Sequence, residues 1–172
     1  MTTTINTLNE VNIAAVGDLV TAIQGDRTVA DTVWKSTVTW QGGFRSEAVS
    51  RGFKPVPSDE PISLGGEDTA PNPVEQLLGA LGNCLAVGYA ANATVAGIEL
   101  NGLRIELEGD LDLHTFLGLA QEHAGFETIT ATVTIDSEAS EDQIRALHDK
   151  VVSTSPVGHS LQRAIPVSIE LD

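Results

Sequence analysis

The chain of 172 residues contains a single cysteine, Cys84. A thiol is the most nucleophilic side chain available near neutral pH, so Cys84 is the first candidate for chemistry. A lone thiol has two readings. Packed inside a helix it is a small hydrophobe, whereas ionised beside a cation it attacks electrophiles such as peroxides. Its expected position in mid-helix gives it no help from a helix N-terminus, so a cation would have to come from elsewhere. Arg45 and Arg51, just past Gln41-Gly42-Gly43, are the candidate suppliers, and the plainer reading of each is a solvated strand residue. One thiol cannot close an internal disulfide or build a multi-cysteine zinc site. His114, His123, His148 and His159 show no paired spacing, so no metal is expected. Gly65-Gly66 is followed by no lysine and stands among acids, unlike a phosphate-binding loop, and no cofactor is expected.

The elements that must hold these residues follow from hydrophobic periodicity. Pro73 suits a first helical turn, and Asn72 before it suits an N-cap. Val74, Leu77, Leu78, Leu81, Cys84, Leu85 and Gly88 recur with the helical period, predicting a helix from Pro73 to about Gly97. It is apolar or small nearly all round, so it should be buried on most sides, either wrapped by sheet or paired with its own copy. Gly79, Ala80, Gly82, Ala86, Gly88, Ala90 and Ala91 should let neighbours approach closely.

Upstream, Leu8, Val11, Ala15, Leu19 and Ile23 form a thin apolar stripe that predicts a helix over residues 7–23, ended by Gly25. It reads as a docked N-terminal extension. Val33 to Trp40 and Phe44 to Val49 read as strands around the Gln41-Gly42-Gly43 turn. Pro55, Pro57 and Pro61 should break pairing, and residues 58–72 read as an irregular connection too polar for the core. Downstream, Leu103 to Leu113 and Ile129 to Asp136 alternate apolar and polar, predicting sheet with one wet face. Ser140, with Glu141 and Asp142 after it, opens another helix that Pro156 stops. A short turn or helix over 157–163 and a strand over 166–171 complete an α+β order.

Composition narrows the class of function. There are 24 Asp and Glu against 9 Lys and Arg, a formal charge of −15, so phosphate backbones and anionic lipid surfaces would be repelled. No nucleic-acid or membrane partner is expected. Hydrophobic residues make up 41% and mean hydropathy is +0.04, enough for a packed core. No long uninterrupted apolar run and no basic-then-apolar start is present, which points to a cytoplasmic protein.

The stretch Leu64-Gly65-Gly66-Glu67-Asp68-Thr69-Ala70-Pro71-Asn72-Pro73-Val74-Glu75-Gln76-Leu77-Leu78-Gly79-Ala80-Leu81-Gly82-Asn83-Cys84 resembles the OsmC/Ohr family of thiol proteins. It has the family's order of Asn-Pro, a glutamate, an Ala/Gly-rich helix and a cysteine. The resemblance continues through Leu103 to Asp112, Phe126 to Ile129, and Ser155-Pro156 with Leu161, covering about residues 30–172. It implies an OsmC-like α+β fold, with antiparallel sheets wrapped around long central helices in an intertwined homodimer. Residues 1–26 would then be an added helical extension and 27–172 the family domain.

The resemblance also implies chemistry. Family members reduce organic hydroperoxides with a peroxidatic cysteine, matched here by Cys84. A second cysteine resolves the resulting sulfenic acid, and an external dithiol, often a lipoyl protein, restores both. That second cysteine stands before a proline, where this chain has Ser155 before Pro156. A family arginine that favours the thiolate is best matched by Arg45, with Phe44 inserted between it and Gly42-Gly43, and Arg51 is the fallback. The glutamate that fixes the arginine falls at Val74, with Glu75 one residue later. Nine residues at 100° each put Glu75 about 180° around the helix from Cys84 and roughly 13 Å along it, so it could serve only a site built across a dimer. Cys84, Arg45 and Glu75 are therefore the candidate catalytic residues.

Three functions stay open on these residues. One is a single-cysteine hydroperoxide reductase resolved by an external thiol or lipoyl group. Another is a non-catalytic dimer of the same fold, binding a small apolar ligand or serving in stress. The third is a redox sensor in which Cys84 is oxidised reversibly.

Overall fold

The computed structural model describes residues 8–171, which divide into two compact units. Residues 14–77 form one, and residues 8–13 with 78–171 form the other.

In the first unit, helix α1 (Ile13–Gly25) ends at the expected glycine but buries none of its residues. Leu19 of its stripe is open to solvent, as are Val16 and Val20 beside it. The hairpin forms as the sequence predicts: β1 (Thr37–Gly42) pairs antiparallel with β2 (Arg45–Val49). Gly42 and Gly43 both take positive φ, 95° and 59°, a backbone that L side chains resist. The Trp40 indole donates to the Gly43 carbonyl at 2.8 Å and closes the turn.

Two expectations for this unit need correction. Pairing persists into the proline-rich stretch, where β3 (Val56–Ser58) adds antiparallel to β2. It is an edge strand in the order β1-β2-β3, the place where a proline without an N–H is tolerated. The connection that follows is not wholly solvated, because Asp59 is 1% exposed. Its carboxylate accepts from the backbone N–H groups of Glu60, Glu67 and Thr69 and from the Thr69 hydroxyl. A buried carboxylate is tolerable when several donors face it, and here they come from the loop it organises. Gly66 crosses so close to the Glu60 backbone that a Cβ there would overlap its carbonyl.

Helix α2 (Pro73–Ala96) carries the chain from the first unit into the second. Its 24 residues give a length of about 36 Å. Asn72 caps it with Glu75 in a reciprocal pair: each backbone N–H donates to the other's side chain at 2.9 Å. Only one stripe is buried, at Leu81, Leu85, Tyr89 and Ala93, four residues apart. Val87 and Val95 are about 70% exposed, so burial on most sides is not met within the described residues.

In the second unit that stripe packs with Ile98, Leu147 and Val151. The inner face of a two-stranded antiparallel sheet lies against this core, with β4 (Gly102–Leu111) paired to β5 (Phe126–Asp136). Leu103 pairs with Ile135 and Ile105 with Val133, which keeps the apolar residues on one face as alternation predicts. Close approach to α2 is real at two of the small residues. A Cβ on Gly82 would lie 2.8 Å from Leu107 Cδ1, and one on Gly88 2.9 Å from Val151 Cγ1. Leu113 belongs to a short helix, α3 (Leu113–Phe116), because Asp112 caps it and ends the strand.

Helix α4 (Glu141–Val152) starts at Ser140 with a full capping box to Gln143, and α5 (Pro156–Leu161) starts at Ser155. The strand expected over 166–171 is absent. That segment pairs with nothing among the described residues, and Ile169 and Leu171 are almost fully exposed. A strand needs a partner ladder as well as alternation, and the described residues supply none there.

The N-terminal helix also starts later than its stripe suggests, and Thr7 lies outside the described residues. Asn9 and Glu10 have positive φ, and Leu8–Glu10 form a separate 3-10 turn. The Asn9 amide donates to Ile98 O and Thr94 Oγ1 and accepts from Leu100 N, tying this turn to the end of α2. No helix among the described residues is long and apolar enough to cross a membrane.

Candidate functional site

Cys84 stands in the middle of α2, half-buried, one residue off the buried stripe. Its neighbour in sequence, Leu85, points into the core, so the thiol sits at the core's margin. Cys84 Sγ is 3.3 Å from Ser155 Oγ, within the range of a hydrogen bond to sulfur. Ser155 is 5% exposed, and its Oγ also accepts from Gly158 N at 3.1 Å as the N-cap of α5. A Cβ on Gly158 would fall 3.1 Å from that same oxygen, so glycine gives the hydroxyl its room. Residues 71 apart in sequence are thus in contact through a helix middle and a helix cap.

Arg45 begins β2 and forms an ion pair with Glu67. The Glu67 hydrogen bond, and then its charge, raise the guanidinium pKa further above its already high ordinary value. Both side chains are well exposed, 38% and 64%, so this pair orients the arginine more than it stabilises the fold. Glu67 is itself held from behind, because its backbone N–H donates to buried Asp59. Burial works against the Asp59 charge, but the hydrogen bonds from Thr69, Glu60 and Glu67 outweigh it and hold the carboxyl below 3.8.

The structure engages Glu75 in the Asn72 cap at the start of α2. Arg51 takes positive φ and lays its guanidinium 4.5 Å above the Phe53 ring. The histidines go separate ways: His114 to Asp112, His148 to the Tyr89 hydroxyl, and His159 to the Ser153 carbonyl. Among the described residues no cluster of three or more His, Cys, Asp or Glu could hold a metal ion.

The sequence profile described as OsmC-like protein matches residues 65–170, well over half of the chain. The chain belongs to the OsmC-like family. Solved structures agree on the fold. An OsmC-like protein from Mycoplasma pneumoniae is 22% identical, with a TM-score of 0.66 over 77% of this chain and 89% of that one. An organic hydroperoxide resistance protein from Legionella pneumophila is 19% identical, with a TM-score of 0.59 over 77% and 92%. Another organic hydroperoxide resistance protein, from Elizabethkingia anophelis, is 17% identical, with a TM-score of 0.59 over 77% and 91%. At such identities the likeness shows the fold alone. Among curated proteins no significant sequence match is found.

Two residues of this OsmC-like chain escape sequence reasoning. Glu67 stands 22 positions from Arg45 in an acidic loop where no periodicity singles it out. Asp59 gathers donors from eight and ten residues away, and a polar loop by itself gives no sign of that. The one available signal is weak: a loop with adjacent glycines can fold tightly on itself.

Proposed function

We propose that this OsmC-like protein reduces organic hydroperoxides through Cys84 and is restored by an external thiol or lipoyl group, working as a homodimer. The observation that carries the reading is Cys84 itself: a half-buried cysteine, on the family's helix, with a buried hydroxyl against its sulfur. In the reaction the thiolate attacks a peroxide oxygen, the O–O bond breaks, and an S–O bond forms. Sulfur is oxidised by two electrons, the peroxide becomes an alcohol, and a solvent proton neutralises the departing alkoxide. The sulfenic acid then accepts an external thiol, giving a mixed disulfide and water. A second thiol releases Cys84 and carries the disulfide away.

Arg45, oriented by Glu67, is the cation assigned to the thiolate in this proposal, and Glu75 is the further acid that the family resemblance nominates. A dimer is supported by apolar surface that the chain leaves open, including Val87 and Val95 on α2 and Val38 and Trp40 on β1. The alternative, a non-catalytic ligand-binding dimer, is favoured by one observation, Ser155 in place of a second thiol.

Consumption of cumene hydroperoxide with excess thiol separates the two. Under the enzyme reading, Cys84→Ser abolishes turnover while the dimer persists in sedimentation. Turnover that is absent in the native protein, or unchanged in Cys84→Ser, would leave the ligand-binding reading.

A further inference from the structure

Ser155 does more than cap α5. Its oxygen accepts from Gly158 N–H, yet its own hydrogen needs an acceptor, and burial at 5% exposure keeps water from serving. Cys84 Sγ, at 3.3 Å, is the other atom bonded to that oxygen. When the sulfur is ionised it has no proton to give, so the hydroxyl must be the donor and the thiolate the acceptor. A hydroxyl donating to a charged acceptor makes one of the stronger hydrogen bonds and holds that acceptor in place.

We propose that Ser155 is a positioning residue for the sulfur of Cys84, through both the reduced and the oxidised states. This rests on the peroxidase reading and goes further, by naming what holds the sulfur once it is oxidised. The hydroxyl donates to the thiolate before the reaction and to the sulfenic oxygen after it. A serine hydroxyl does not displace that oxygen from sulfur, so no internal bond forms and the sulfenic acid persists until an external thiol arrives. That thiol attacks sulfur, an S–S bond replaces the S–O bond, and the oxygen leaves as water with the thiol's proton. Ser155 thereby makes this chain a holder of sulfenic acid, where a thiol at the same place would consume it.

The experiment adds one equivalent of cumene hydroperoxide to full-length native protein. Sulfenic acid is trapped with dimedone at successive times, and over-oxidation and disulfides are read by intact mass. Wild type should give a long-lived, trappable sulfenic acid. Ser155→Ala should lose it about fivefold faster to over-oxidised forms, the worth of one hydrogen bond. Ser155→Thr keeps a hydroxyl and should restore the wild-type lifetime, a rescue that a purely structural role for side-chain size would not produce. Ser155→Cys should convert the sulfenic acid into a disulfide between Cys84 and the introduced thiol with loss of water, leaving nothing to trap.

Equal lifetimes in wild type and Ser155→Ala, or no disulfide in Ser155→Cys, would overturn the positioning role and leave the peroxidase reading standing. Absence of both peroxide consumption and sulfenic acid in wild type would overturn the peroxidase reading and this inference with it.

Discussion

The two units of this protein are organised by opposite kinds of buried group. In residues 78–171 the core is apolar: Leu81, Leu85, Tyr89, Ala93, Ile98, Leu147 and Val151. In residues 14–77 the buried residues are Ser58 and Asp59, while Val38 and Trp40 of β1 stand 65% and 73% exposed. One unit builds an apolar core, though Val87 and Val95 on the flank of α2 stay open. The other spends its interior on hydrogen bonds to a carboxylate and leaves an apolar sheet face open. A unit of that kind gains definition from polar geometry but little from the hydrophobic effect, which is the larger driving force. It also places the two units at opposite ends of the pH scale.

The largest effect should come from breaking the apolar core. Leu85→Ala removes a side chain from its centre and should cost about 2–5 kcal/mol, read from urea denaturation. The loss should appear in the second unit, followed by amide exchange in β4 and β5.

The buried ionisable groups should then separate the units by pH. Asp59 has its pKa lowered, so its stabilisation is complete above 3.8 and is lost as pH falls through the lower folded value. Burial raises the pKa of Tyr89 above 10.0, so its contribution is complete below 10.0 and is lost as pH rises through the higher folded value. Amide exchange across both limits should therefore show residues 59–69 opening first in acid and α2 with α4 opening first in alkali. Asp59→Asn should open the same loop at neutral pH and expose it to limited proteolysis. An unchanged loop in Asp59→Asn would show that the carboxylate's charge is not what organises it.

The smallest effect on folding should come from the open sheet face. Trp40→Ser loses exposed area and the one indole hydrogen bond to the Gly43 carbonyl, and should cost the chain about 0.5–1.5 kcal/mol. It should still weaken self-association in sedimentation, because Trp40 lies in the surface assigned to the dimer. A large loss of stability with no change in association would place Trp40 in a fold contact instead.

How legible all this was depended on the range of each interaction. The α2 helix could be read to within a residue, since Asn72, Pro73 and the 3.6-residue period are local signals. The β1–β2 hairpin and the inward face of β4 and β5 were equally plain. The segment over 166–171 has the same alternation as a strand, yet it forms none, because pairing depends on a second segment that the pattern cannot name. The exposed flank of α2 is a similar case. Its apolar residues declare that something should cover them without saying what, and among the described residues Val87 and Val95 stay open.

At the candidate site the division is sharper. Residue type and neighbourhood singled out Cys84 and Arg45, because a sole thiol and an arginine beside a Gly-Gly turn are visible in one dimension. The contact of Cys84 with Ser155 spans 71 residues, and the pairing of Arg45 with Glu67 passes through a loop folded around Asp59. Those partners were chosen by where α5 and the acidic loop come to rest. Periodicity and capping act over a few residues, so the sequence by itself determined most of the elements, their apolar faces and the identity of the thiol. Which hydroxyl meets the sulfur, and which carboxylate meets the arginine, only the tertiary structure decided, because those distances are set by packing between elements far apart along the chain.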